Sequence, residues 1–167
     1  MPLSLPPEYI AAPQCLQNKI ILVTGAGDGI GRAAALSYAQ HGATVILLGR
    51  TVEKLEAVYD EIEAAAYPQA AIYPLHLRGA VMKDYEELAN TIEREFGRLD
   101  GLLHNAGVLG QRRTLAQTTV DSWDEVLHVN LSAPFMMTQA LLPMLAAAEN
   151  ASIILTSSSV GRKGRAF

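Results

Sequence analysis

A single cysteine, Cys15, stands in this chain of 167 residues. One cysteine excludes an internal disulfide framework and any cysteine-based zinc site. Charged residues are few, at 18%, and aromatic residues fewer, at 6%, while 50% of the chain is apolar. That composition excludes intrinsic disorder. Neither sign of charge dominates: 13 basic residues face 17 acidic ones, leaving a net charge of −4. A nucleic-acid binder or an anionic-membrane binder carries a basic patch, so neither partner is expected. Long hydrophobic runs are missing too. The longest mostly apolar stretch, 140–148, contains Pro143 and falls far short of the roughly 20 residues a bilayer span needs. The opening residues lack a basic segment and are broken by prolines, so no secretory signal is expected, and a cytoplasmic location is. The histidines, His41, His76, His104 and His128, show no paired ligand spacing, so no metal site is expected.

At roughly 100–200 residues per domain, the length suggests one domain or most of one. Four of the eight prolines fall in the first thirteen residues, so 1–18 is expected to be an extended arm and 19–167 the globular domain. The domain opens with Ile20-Ile21-Leu22-Val23, a short continuous apolar run typical of a strand buried on both faces of a parallel sheet. Similar runs recur at 44–48, 71–73, 102–103 and 152–155. Between them lie stretches with helical spacing, at about 30–41, 52–65, 82–96 and 121–148. Thr51 and the capping-box spacing of Ser122 with Glu125 suggest two helix starts. Phe135, Met136 and Met137 read as packing or interface residues, and Trp123 as a packing anchor. Strand and helix in alternation predict an α/β fold: a doubly wound, Rossmann-type parallel sheet in three α/β/α layers, ending after its fifth strand.

The chemistry is concentrated at strand ends. Thr24-Gly25-Ala26-Gly27-Asp28-Gly29-Ile30-Gly31 follows the first strand and opens directly into a helix. Glycine at such a turn lets backbone approach a pyrophosphate, whose charge then sits on helix N–H groups. The G-x-x-x-x-G-K-[ST] phosphate loop is absent, which disfavours triphosphate hydrolysis. The second strand ends Leu48-Gly49-Arg50-Thr51, with no carboxylate before Glu53. An acid there suits the ribose hydroxyl of NAD and an arginine the 2′-phosphate of NADP, so NADP is expected, with NAD the alternative. Asp28 pulls weakly the other way, since its charge opposes a nearby phosphate. Ser157-Ser158-Ser159 lacks the glycines of a nucleophile elbow, which sets a serine hydrolase aside. Arg162, Lys163 and Arg165 read as a solvated loop.

Thr24-Gly25-x-x-x-Gly29-x-Gly31, Asn105-Ala106-Gly107, Asn130 and Ser158, in that order and spacing, resemble the short-chain dehydrogenase/reductase superfamily from Lys19 onward. Within it, Val23–Arg32 and Ser157–Arg165 are most similar to the YciK-type bacterial oxidoreductases. The resemblance implies that Thr24, Gly25, Gly27, Asp28, Gly29, Ile30 and Gly31 cradle the pyrophosphate. It implies that Asn105, Ala106 and Gly107 line the ribose and nicotinamide side. Asn130 would hold a water in a proton relay, and Ser158 would bond the substrate oxygen. The implied reaction moves hydride between NADP(H) and a small alcohol or carbonyl substrate, and the implied assembly is a homo-oligomer.

Three departures qualify that resemblance. An acid usually found near the adenine is replaced by His76-Leu77, leaving His76, Leu77 or backbone to make that contact. His104 replaces an asparagine and reads as packing. The family's general acid, a tyrosine in Tyr-x-x-x-Lys, would by spacing fall just past Phe167, and Tyr9, Tyr38, Tyr59, Tyr67, Tyr73 and Tyr85 all lie too early. The expectation is therefore a chain that supplies the cofactor-binding portion of a longer enzyme, inactive by itself. The alternative is a non-catalytic dinucleotide-binding module or an inactive fragment of the same fold.

Overall fold

A computed structural model describes residues 10–111 and 113–158. The basic residues 162, 163 and 165 therefore lie outside the described residues. Five strands, β1 (Ile20–Thr24), β2 (Thr44–Gly49), β3 (Ala71–Pro74), β4 (Gly101–His104) and β5 (Ser152–Leu155), form one parallel sheet in the order β3-β2-β1-β4-β5. Helices α1 (Gly29–Gln40), α2 (Val52–Ala64), α3 (Met82–Phe96), α4 (Val120–Leu127) and α5 (Ala133–Ala147) make the crossovers, and a π-helical turn at His128–Ser132 joins the last two. This is the doubly wound α/β sheet expected from the alternation of strands and helices.

The central strands β1, β2 and β4 are buried because each alternates two apolar sets, whereas β5 at the sheet edge is exposed. Successive side chains point to opposite faces. Leu22, Leu48 and Leu102 pack beneath α3 and α5, while Val23, Leu47 and Leu103 pack beneath α1 and α2. Helices answer with one apolar stripe each: Tyr85, Leu88 and Ile92 on α3, and Met137, Leu141 and Leu145 on α5. Each fully buried leucine or isoleucine contributes about 1.5–3 kcal/mol. From Val120 to Ala147 the helical stretch runs 28 residues, enough by length and composition to cross a bilayer. Its buried residues instead pack into the core beneath the sheet.

At the sheet end where β1 and β4 begin, one buried carboxylate ties the chain together. Asp100 accepts from the Ile20 N–H at 2.9 Å, Lys19 Nζ at 3.1 Å and Arg98 Nη2 at 2.6 Å. Burial by itself raises this group, but the bonds from Arg98, Ile20 and Lys19 outweigh it and bring its pKa to about 2.

Local details differ from the sequence expectations. Residues 13–18 form turns instead of an extended arm, and the Leu16 N–H donates to the His41 carbonyl at 3.0 Å. The cap of α4 is Thr119, not Ser122: the Thr119 hydroxyl accepts from the Ser122 N–H at 3.3 Å. Ser122 already lies inside the helix, so its spacing to Glu125 closes no box. Thr51 does precede α2, but its hydroxyl makes no capping bond. Trp123 is 55% exposed and anchors no core.

Candidate functional site

The ends of β1, β2, β3 and β4 converge with the loops after them on an open cleft of about 270 Å³. Open α/β sheets bind ligands at this edge, beyond the carboxyl ends of the strands. Of the residues expected there, Gly25, Gly27, Asp28, Arg50, His76, Leu77, Ala106 and Gly107 line the cleft.

The glycine loop is shaped by its neighbours. Gly25 has φ +67°, and a Cβ on it would stand 3.0 Å from Ala106 Cα. On Gly31, a Cβ would run into the Gly25 carbonyl and stand 2.5 Å from Asn105 Nδ2. Only residues without a side chain let the loop fold this tightly over the start of α1. Ile30, one residue into the helix from Gly29, is 66% exposed.

Thr24 is 1% exposed and lies behind the cleft wall. Its hydroxyl accepts from the Asn105 and Ala106 N–H groups, each at 3.0 Å, and donates to the Leu103 carbonyl at 3.3 Å. The Asn105 amide donates to the Thr24 carbonyl at 3.3 Å and accepts from the Thr156 hydroxyl at 3.3 Å. Thus Thr24 and Asn105 fix the loops after β1, β4 and β5 relative to one another. They build the cleft without lining it.

Asn130 sits in the π turn, and its side chain is committed. Its Oδ1 accepts from the Val108 N–H at 2.8 Å, and its Nδ2 donates to the Val108 carbonyl at 2.8 Å. The side chain therefore positions the loop after β4. Ser158, beyond β5, is exposed and does not line the cleft. His104 packs as expected, 5% exposed, with Nε2 2.8 Å from the Thr138 hydroxyl. Its burial lowers its pKa to about 4, so the ring is neutral near pH 7.

Charge at the cleft is mixed. Asp28 caps α1, accepting from the Gly29 N–H at 2.8 Å, and pairs with Lys54 Nζ at 2.5 Å. The Lys54 hydrogen bond, then the Gly29 N–H, hold its carboxyl below the usual range. Arg50, Lys54 and Arg78 face the same opening. Lys54 and Arg78 escaped the sequence reading. Lys54 lies in the first turn of α2, and its approach to the glycine loop is a contact between distant segments. His76 Nδ1 accepts from the Arg78 N–H at 3.2 Å. Among the described residues, no cluster of histidine, cysteine or acidic side chains could hold a metal ion.

A sequence profile for short chain dehydrogenases matches residues 19–167. The oxidoreductase YciK of Escherichia coli K12 is 48% identical over 158 residues, covering 95% of this chain and 63% of its own length. A Shigella flexneri 2a protein solved in complex with NADP is 46% identical, with a TM-score of 0.89 over 93% of this chain and 65% of that one. An Escherichia coli CFT073 protein solved with NADPH is 49% identical, with a TM-score of 0.88 and the same coverage. The chain thus spans 63–65% of the length of these relatives.

Proposed function

The chain belongs to the short chain dehydrogenase family, and on that premise we propose that it holds NADP(H) for hydride transfer between the nicotinamide and an alcohol or carbonyl substrate. The observation that carries this proposal is Arg50, which directly follows β2 and lines the cleft with no carboxylate before Glu53. Two relatives crystallised with NADP and NADPH support it.

The residues fit the group. The close approach of Gly25 and Gly31 leaves room only for backbone, as a bound pyrophosphate needs. Arg50 would face the 2′-phosphate, while His76 and Leu77 would border the adenine. Ala106 and Gly107 would line the ribose and nicotinamide side, positioned by Thr24 and Asn105. When bound, the cofactor supplies the hydride. Ser158 would hydrogen-bond the substrate oxygen and stabilise charge developing there. Asn130, its side chain held by Val108, would serve a proton relay by shaping the loop and the π turn. Trp123, Leu127, Leu131 and Phe135 form an exposed apolar stripe along α4, the π turn and α5, the face through which a second copy would pair.

A second proposal is a dinucleotide-binding module without chemistry, favoured by the tyrosines: among the described residues, none lines the cleft. Calorimetric titration separates the possibilities. The chain is expected to bind NADPH at least about tenfold more tightly than NADH, and Arg50→Leu to erase the difference. Preference for NADH would overturn the NADP assignment. Oxidation of NADPH on adding carbonyl substrates would exclude the silent module.

A further inference from the structure

Arg50 does not stand alone at the cleft. Lys54, in the first turn of α2, reaches back across the opening to the carboxylate of Asp28 in the glycine loop. Both side chains are exposed, 55% for Lys54 and 75% for Asp28. An exposed pair of this kind stabilises a fold only slightly. The packing around it is nevertheless specific. A Cβ on Gly27 would stand 2.9 Å from Lys54 Cβ. The bare backbone at Gly27 is what lets the lysine stem lie against the loop and carry its ammonium to Asp28.

That contact addresses a conflict in the cleft's charge. Asp28 and Arg50 line the same opening, and Asp28 is ionised at neutral pH. An uncompensated carboxylate would repel a phosphate monoester placed beside Arg50. An ammonium carries three donors. Asp28 engages Lys54 through one of its oxygens, leaving further N–H groups for an anion in the cleft.

We infer that Lys54 is a specificity-determining residue of the cofactor site: it cancels the charge of Asp28 and offers its remaining N–H groups beside Arg50, so that the site accepts a 2′-phosphate. This rests on the NADP assignment above and supplies the part that Arg50 leaves open. Discrimination then depends on the Lys54–Asp28 pair as much as on the arginine.

Titration of the chain and its variants with NADPH and NADH tests it, with circular dichroism confirming that each variant is folded. Lys54→Met is expected to weaken NADPH binding by about tenfold and to leave NADH within about twofold. Lys54→Arg is expected to keep the preference for NADPH. Adding Asp28→Asn to Lys54→Met is expected to recover most of the lost NADPH affinity, because the repelling charge is gone. A purely structural lysine would weaken both dinucleotides equally and gain nothing from Asp28→Asn, and that result overturns the inference. A wild-type preference for NADPH that Lys54→Met leaves intact overturns it alone. A wild-type chain with no preference overturns the NADP assignment and this inference together.

Discussion

Thr24 and Asn105 hold each other twice. The Thr24 hydroxyl accepts the Asn105 N–H at 3.0 Å, and the Thr24 carbonyl accepts the Asn105 amide at 3.3 Å. The glycine loop after β1 and the loop after β4 are thereby joined behind the cleft. The shape of the cleft depends on a hydroxyl that faces the protein interior.

Thr24→Val keeps the shape of that side chain and removes the acceptor for the Asn105 and Ala106 N–H groups. Leaving buried donors without partners costs about 1–3 kcal/mol. Urea denaturation is expected to show that loss, with Thr24→Ser close to wild type. A valine variant as stable as the parent would mean that water replaces the hydroxyl.

The general outline was legible in the residues, because β1 and β2 are continuous apolar runs and a strand buried on both faces can be little else. The glycine loop was legible for the same reason: Gly25 and Gly31 announce close backbone approach. Contacts between distant segments were not. Asp28 and Lys54 stand 26 residues apart, and no local spacing predicts that they meet. Ser122 had the correct distance to Glu125, yet Thr119 begins the helix, since local capping signals compete and the fold selects one. The π turn that carries Asn130 has no periodicity to betray it. Trp123 looked like an anchor by residue type, but its position on α4 faces outward.

His104 gives the fold a pH dependence of known sign. Burial lowers its pKa from 6.5 to about 4, so between those values the unfolded chain binds a proton that the folded chain refuses. Stability is then complete above pH 6.5 and falls as pH drops toward 4, by about 3 kcal/mol in all. Asp100, with its pKa lowered to about 2 from 3.8, adds a separate loss below that window. In His104→Gln the upper window is expected to flatten while the lower one persists. Urea midpoints measured from about pH 2 to pH 7 would show this, and an unchanged slope in the upper window would assign that dependence to other groups.

Tyr85 tests the opposite kind of burial. Its side chain is fully buried on α3, and its hydroxyl has no hydrogen-bond partner among the described residues. Burial, and then the charge of Asp84, raise its pKa to about 12. Tyr85→Phe removes the unpaired group and is expected to stabilise the chain by about 1 kcal/mol. It also removes an alkaline liability. The unfolded phenol ionises near 10 and the folded one near 12, so the parent loses stability as pH rises through that range and the variant is expected to lose less. A phenylalanine variant less stable at neutral pH would reveal a buried water on the hydroxyl.

Gly31 and Gly29 lie two positions apart in the glycine loop and predict unequal costs. A Cβ at Gly31 meets the Gly25 carbonyl, which is backbone, and Asn105 Nδ2, which is held by the Thr24 carbonyl, so neither can yield cheaply. A Cβ at Gly29 meets nothing within 4 Å, and its only penalty is a left-handed backbone at φ +52°. Gly31→Ala is therefore expected to lose about 1–3 kcal/mol from overpacking and to weaken NADPH binding with it. Gly29→Ala is expected to lose about 1 kcal/mol, the usual penalty for a side chain in that conformation. Melting both variants with and without NADPH checks the order. Equal losses would show that the Gly25 carbonyl and Asn105 yield cheaply, and that close packing is not what keeps Gly31 a glycine.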